Sequence, residues 1–391
     1  GVVSKYQEDN HMANQEFKAE LPPLSQAICE AYRSNESQCI NQLLEAATLP
    51  HEAITRVQEI ARKLVVAVRK RRLGKGGMDA FLFEYDLSSE EGIALMCLSE
   101  ALLRIPDSDT IDKLIKDKLT QADWEQHLGK SKSSFVNAAT WALMLTGKVI
   151  SGPKTTSRNL SSVLQRLTRR SGEPIIRQAV GQAMRILGRQ FVMGQTINEA
   201  LKRAQVLEKK GFRYSYDMLG EAACTMEDAE VYYQSYVRAI NEIGKANKGK
   251  GPINGPGISV KLSALHPRYE WGNRQRMMDE LLPRLKKLVL MAKELDIGFT
   301  IDAEESDRLD LSLYLVEAIV ADPALGNWRG FGLAVQAYQK RASQVLDWLI
   351  DLARKHDRPL MVRLVKGAYW DSEIKWAQER GLSGYPVFTR K

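Results

Sequence analysis

Apolar positions recur at three- and four-residue spacing through the first half of the chain, and at two-residue spacing in short runs after Gly211. The first period marks a helix face, the second a strand face. Helices are predicted over Leu24–Ala47 and Glu52–Arg72, and the stretch Leu73–Gly77 breaks the pattern. Ser88–Ile105 reads as a further helix, capped by Ser89, with Glu91 in its first turn and Pro106 ending it. Asp109–Leu119, Ser134–Ile150, Asn159–Ser171 and a segment from Pro174 towards Gly194 complete a helical half. Thr196–Lys210 opens on a Thr-x-x-Glu box, Thr196 and Glu199, and ends at Gly211.

From there, short apolar runs alternate with helical stretches, starting near 213, 257, 298, 330, 360 and 385. The step of ~34 residues is close to that of a β–α unit. Each of the first five runs delivers a polar side chain near its end: Asp217, Lys261, Asp302 with Glu304, Gln336, and Arg363 with Lys366. In Ser259–Ser263 and Thr300–Glu304 the polar residues share one parity, which places them on one strand face. Parallel strands that present polar groups at their carboxyl ends build the mouth of a (βα)8 barrel. Such a barrel needs eight strands and ~250 residues. The pattern therefore predicts a barrel truncated after about strand six, preceded by an all-helical arm and domain. The expected division is 1–20 as a flexible end, 21–75 as a helical arm, 76–210 as a helical domain and 211–391 as the barrel. Gly1–His11 reads as an added leader, with Met12 as the native start.

Composition changes this picture little. The chain has 391 residues and an ordinary apolar content, enough for a large core. No apolar run approaches the ~20 residues of a membrane span, and no secretory leader is visible. Cys29, Cys39, Cys97 and Cys224 form no Cys-x-x-Cys pair, which fits a reduced cytosolic protein. The histidines have no metal-ligand spacing, so no metal is expected. The net charge of +8 is moderate, and the densest basic run, Arg69–Arg72, is read as a solvated helix end.

Three constellations bear on chemistry. Gly244–Gly251 nearly matches a phosphate loop, but Gly251 replaces the required Ser or Thr, and the loop follows a helix rather than a strand. It is read as an αβ connection. Lys261 and Lys366 suit either a Schiff base or the binding of an anion. Asp302 and Glu304 suit acid–base work or a divalent metal, but also simple counter-charge to Lys261 and Arg363, which is the preferred reading. The segment Leu360–Lys375 combines two strand cations with Gly367 and Ala368, the flat faces of Tyr369 and Trp370, and a helix start. Such a set suits a planar cofactor carrying a pyrophosphate, and equally an ordinary βα loop with aromatic packing.

These residues carry a resemblance. Tyr-Asp217-Met-Leu-Gly-Glu-Ala-Ala, Ser-Val-Lys261-Leu-Ser-Ala-Leu-His-Pro-Arg-Tyr-Glu, Ile-Asp302-Ala-Glu-Glu, Gly-Leu-Ala-Val-Gln336-Ala-Tyr, Val-Arg363-Leu-Val-Lys366-Gly-Ala-Tyr369-Trp-Asp and the terminal Gly-Tyr-Pro-Val-Phe-Thr389-Arg-Lys391 resemble the proline dehydrogenase domain of the bacterial proline utilization A family. Residues 87–107 resemble its helical region ahead of the barrel. The resemblance implies an FAD enzyme that oxidises L-proline to Δ1-pyrroline-5-carboxylate and passes electrons to a membrane quinone. It implies that Arg363, Lys261, Asp217 and Tyr369 form the catalytic group. Arg363 would sit near flavin N5, Lys261 would bind the proline carboxylate, Asp217 would line the substrate site and Tyr369 would pack on the ring. Asp302, Val335, Gln336, Arg363 and Val365 would surround the flavin. Lys366, Gly367, Ala368, Tyr369 and Trp370, with Phe388, Thr389, Arg390 and Lys391, would hold the rest of the cofactor.

Two departures from the family pattern are noted. The arginine pair that clamps the carboxylate, on a helix after the last strand, is absent, as is the aldehyde dehydrogenase domain expected on the full-length protein. No ribbon-helix-helix module is visible before Leu24, so DNA contact is not expected, while peripheral contact with the cytoplasmic membrane is. A Schiff-base barrel lyase using Lys261 or Lys366, and a non-catalytic DNA- or membrane-associated module using Arg69–Arg72, are the rivals.

Overall fold

The computed structural model describes residues 23–72, 192–220 and 222–390. The helices predicted between Ser88 and Gly194, residues 1–20, Cys97 and Lys391 lie outside these. The chain divides into two compact units, one formed by Gly1–Thr48 with Ala204–Lys391, the other by Leu49–Arg203.

In the second unit the described residues include α3 (His51–Arg72), which starts one residue before the expected span. Arg69 and Lys70 lie exposed in its last turn, as a solvated helix end requires. The first unit begins with α1 (Pro23–Ala31) and α2 (Glu36–Ala47). The sequence predicts one helix here. It is broken because the short polar side chains at the junction bond to nearby backbone: Ser34 Oγ donates to the Ala31 carbonyl, and Asn35 accepts from the Gln38 N–H as the α2 cap. The next helix is α4 (Ile197–Glu208); Thr196 accepts from the Glu199 N–H, and Glu199 reaches back to the Gln195 N–H.

The sheet has five parallel strands in sequential order: β1 (Ser215–Tyr216), β2 (Gly257–Val260), β3 (Gly298–Ile301), β4 (Phe331–Gln336) and β5 (Met361–Val365). Between them run α5 (Met226–Asn247), α6 (Leu282–Glu294), α7 (Leu309–Val320) and α8 (Ala342–Lys355), and α9 (Trp370–Glu379) follows β5. The sixth expected run is not a sheet strand. Pro386 has no N–H to give to a ladder. Val387 instead forms an isolated antiparallel bridge to Gln339 beyond the end of β4. The Gly244–Gly251 stretch is the last turn of α5 and the connection that follows it, with Lys248, Gly249 and Gly251 at positive φ.

Strand parity sets the layers. Ile258, Val260, Phe299, Ile301, Phe331 and Leu333 are buried on the helix side, where Phe299 and Phe331 stack at 6.4 Å. Tyr236, Ile240 and Ile243 of α5, and Leu285, Leu288 and Val289 of α6, are fully buried against them. The other face carries Ser259, Thr300 and Arg363. Arg363 Nη2 donates to Ser259 Oγ at 3.2 Å, joining β5 to β2. In a flat sheet those strands would lie ~14 Å apart, beyond the reach of an arginine. The sheet is therefore curled into a half-barrel.

Candidate active site

The carboxyl ends of β2, β3 and β5 converge on one ionic group. Arg363 Nη2 donates to Asp302 Oδ1 at 2.5 Å, and Lys261 Nζ lies 3.5 Å from Asp302 Oδ2. Lys261 and Asp302 are the first residues past their strands, where the parity of Ser259 and Thr300 continues. Ala334 pairs with Arg363 in the register, and its small side chain lets the guanidinium pass over β4. The Lys261 N–H donates to the buried Tyr236 hydroxyl of α5 at 3.1 Å, which fixes the backbone that carries the ammonium. Asp302 is thus a counter-charge to Lys261 and Arg363, as preferred from sequence. Glu304 is not. Its Oε1 accepts from the Ser263 N–H at 3.0 Å and its Oε2 pairs with Arg308 at 2.7 Å.

A cavity of about 260 Å³ adjoins this group. Lys261, Ser263, His266, Glu304, Arg308 and Tyr369 are among its lining residues. His266 Nδ1 accepts from the Arg268 N–H, so its Nε2 carries the proton that Glu280 receives at 2.8 Å. Burial pushes the Tyr369 phenol well above its ordinary value, and the negative charges of Glu304, Glu305 and Asp302 add to this, so the hydroxyl stays protonated. Asp217 lies on an exposed stretch just past β1 and does not line this cavity.

A larger groove of about 1070 Å³ is lined by Ala337, Tyr338, Lys366, Gly367, Ala368, Trp370, Asp371, Phe388, Thr389 and Arg390, together with one side of α2. Lys366 and Arg390 supply positive charge, and the first turn of α9 opens on the groove beside the acidic Asp371. Trp370 Nε1 donates to the Phe388 carbonyl at 2.8 Å, tying α9 to the 386–390 segment. Gly367 sits at φ 136, and a Cβ there would come within 2.5 Å of the Tyr338 ring. Volume, cations, aromatic faces and a helix amino end together fit a dinucleotide such as FAD.

The other expected cofactor residues have partners or orientations of their own. The Gln336 side chain is buried; it donates to the Glu304 carbonyl at 2.8 Å and accepts from the Ala368 N–H at 3.0 Å, so it braces the site. Val335 has the opposite parity to Gln336 and faces the helix layer, leaving only its backbone for a ligand. Val365 ends β5 in register with Gln336. Thr389 gives both its N–H and its hydroxyl to Glu36 of α2.

Sequence reasoning missed Arg308, whose i,i+4 spacing from Glu304 was a usable signal. It also missed Tyr269, His266, Tyr338 and Glu36. Glu36 has no local signal, because its partner lies 353 residues away.

Comparison with known proteins bears on all three parts of the chain. The family model described as proline dehydrogenase matches residues 200–391. That of the proline utilization A proline dehydrogenase N-terminal domain matches residues 23–69. A third, described as the DNA-binding domain of proline dehydrogenase, matches residues 77–191, all outside the described residues. That description differs from the expectation that this chain makes no DNA contact. The bifunctional protein PutA of Escherichia coli K12 is 54% identical over 98% of this chain, and that of Rhizobium meliloti 54% identical over 94%. This chain spans only 29% of either relative. Proline dehydrogenase 1 of Bacillus subtilis is 27% identical over 50% of the chain. A crystal structure of a Bradyrhizobium japonicum proline utilization A variant superimposes with a TM-score of 0.64 at 48% identity, covering 92% of this chain and 35% of that one. Matched from its amino-terminal arm through the ionic group at the strand ends, the chain belongs to the proline utilization A family and contains its proline dehydrogenase region.

Proposed function

We propose that this chain carries the FAD-dependent oxidation of L-proline to Δ1-pyrroline-5-carboxylate, with electrons passing to a quinone. The observation that carries the reading is the position of one short segment. Tyr369 lines the smaller cavity, while its neighbours Lys366, Gly367, Ala368 and Trp370 line the larger groove. A small substrate and a large cofactor would therefore meet across a few residues. The smaller cavity adjoins a cation, Lys261, suited to an amino-acid carboxylate. Oxidation removes a hydride from the ring carbon beside nitrogen and a proton from the nitrogen, leaving a C=N bond. FAD, when bound, supplies the two-electron acceptor.

The chain's own residues would bind and orient. Lys261 holds the carboxylate, Asp302 holds Lys261 and Arg363 at fixed separation, and the Tyr369 ring closes the cavity as a neutral phenol. Arg363 places a fixed positive charge where the cofactor ring would gain electrons. Lys366, Arg390 and the amino end of α9 would receive the pyrophosphate. The name of the PutA relatives, bifunctional, supports a second activity on the full-length protein, in keeping with an aldehyde dehydrogenase domain. Among the described residues no helix is long and apolar enough to cross a membrane. Contact with DNA through the 77–191 region is left to the family description alone. A Schiff-base reading of Lys261 fits poorly with its engagement as a cation beside Asp302.

The test is spectroscopic. The full-length protein should be yellow, and anaerobic L-proline should bleach its flavin absorbance where D-proline does not. Colourless protein that takes up no FAD would reject the reading.

A further inference from the structure

We propose that Glu36, on the amino-terminal arm, is a positioning residue of the cofactor groove: it clamps Thr389 and so holds the 386–390 segment against α2. The proposal rests on the FAD reading above.

The contacts are specific. Glu36 Oε1 accepts from the Thr389 N–H at 3.1 Å and from the Thr389 hydroxyl at 2.8 Å, and Oε2 lies 3.2 Å from the same N–H. Lys340 Nζ lies 3.6 Å from Glu36 Oε2 and donates to the Ser34 carbonyl at 3.0 Å. The Lys340 side chain is 3% exposed, so its charge needs a partner, and Glu36 is that partner. The Lys340 N–H in turn donates to the Pro386 carbonyl. One carboxylate thus links the α1–α2 junction, the segment after β4 and the 386–390 segment. Burial alone would raise the Glu36 carboxyl, but the Thr389 bonds and the Lys340 charge outweigh it and hold it below the ordinary range.

The charge on Glu36 is compensated within this network, so it does not oppose a phosphate in the groove. What the clamp controls is shape. On α2, Ile40, Leu43, Leu44 and Ala47 recur at three- and four-residue spacing and line the groove together with Trp370 and Phe388. Ile40, Leu43 and Leu44 remain 39–59% exposed. An aliphatic wall facing aromatic rings, with Lys366 and Arg390 alongside, suits a flat heterocycle attached to phosphate. The adenosine half of a dinucleotide has that chemistry. The arm then retains the cofactor without touching the reacting ring.

The experiment measures FAD release from the loaded full-length protein, as the recovery of free-flavin fluorescence on dilution. Glu36→Ala should release FAD roughly ten- to hundredfold faster, the range expected for losing a charged hydrogen-bond partner. The visible spectrum of the flavin still bound should match wild type, because the isoalloxazine end is undisturbed. Glu36→Gln, which keeps an acceptor, should fall between. Thr389→Val should accelerate release less than Glu36→Ala and add nothing to it in the double variant. Unchanged release in Glu36→Ala and Glu36→Gln, or faster release with a shifted flavin spectrum, would overturn the clamp. A wild type that binds no FAD would instead overturn the functional reading on which the clamp stands.

Discussion

Arg363 of β5 donates to Asp302 at the end of β3 at 2.5 Å, over the top of β4. The same carboxylate lies 3.5 Å from Lys261, so one anion separates and fixes two cations at the half-barrel mouth. If Arg363 stabilises electrons arriving on the cofactor, Arg363→Met should slow proline-dependent flavin reduction at least roughly tenfold. The circular dichroism spectrum should be unaltered, because Asp302 keeps Lys261. Reduction at the wild-type rate in stopped-flow would mean that Arg363 serves only to neutralise Asp302.

Lys261 is the cation that reaches both Asp302 and the 260 Å³ cavity. Lys261→Ala should raise the proline KM about tenfold, the scale of one lost charge-assisted hydrogen bond. The maximal rate should fall less, since Arg363 and Asp302 remain paired. Steady-state kinetics with a soluble quinone analogue would decide this. A KM that does not move removes Lys261 from the substrate site.

Why part of this site was legible and part was not follows from how each contact is made. The shared parity of Ser259 with Lys261, and of Thr300 with Asp302, predicts one polar face, and Arg363 joins it through the curl of a parallel sheet. Strand starts at Gly257 and Gly298 were readable to the residue, but strand ends were not. The chain leaves the sheet into a tight turn at Leu262–Ala264 even though the alternation of polar and apolar residues continues. The Tyr-Pro-Val-Phe run near 385 has strand composition, and only the missing N–H of Pro386 argues against it. Glu36 and Thr389 meet through tertiary packing alone, for which no periodicity gives a sign. Helix α2 read as continuous with α1 because apolar spacing runs through the junction, while the break is made by Ser34 and Asn35.

Gly367 and Gly381 offer a paired test of the cofactor groove. Both have positive φ, at 136 and 62, but a Cβ on Gly367 would strike the Tyr338 ring, whereas nothing lies within 4 Å of one on Gly381. Tyr338 cannot simply swing away, since its hydroxyl accepts from the Tyr369 N–H at 3.1 Å. Its phenol, raised by burial to about 12, stays neutral throughout the working pH range. Gly381→Ala should cost about 1 kcal/mol, the conformational penalty alone. Gly367→Ala should cost about 2–4 kcal/mol and weaken FAD binding as well. Urea denaturation and a cofactor titration measure the two effects. Equal losses at both positions would show that the Tyr338 contact is not limiting.

Glu373 of α9 gives the fold a pH dependence whose sign is fixed by its surroundings. The residue is 4% exposed, and its carboxyl receives the Ser306 N–H at 2.6 Å and the Ser306 hydroxyl at 2.7 Å. Burial raises the carboxyl above its ordinary value; the Ser306 bonds pull it down, and the charges of Asp307 and Glu305 push it up again. Other neighbours are Arg341, which donates to the Ser306 carbonyl, Tyr32, whose hydroxyl lies 3.3 Å from Ser306 Oγ, and Tyr338, whose phenol feels the Glu373 charge. Because the folded value lies above the unfolded one, folding favours the protonated acid. The contribution is then complete below about pH 4.3, the unperturbed glutamate value, and is lost as pH rises through the higher folded value. Glu373→Gln is neutral at every pH and keeps one acceptor for Ser306. The unfolding free energy of wild type minus that of Glu373→Gln should therefore be greatest at the acid end of a pH 4.5–8 urea series and decline with rising pH. A difference that stays flat, or grows as pH rises, would mean that the Ser306 hydrogen bonds outweigh burial and hold the carboxylate charged.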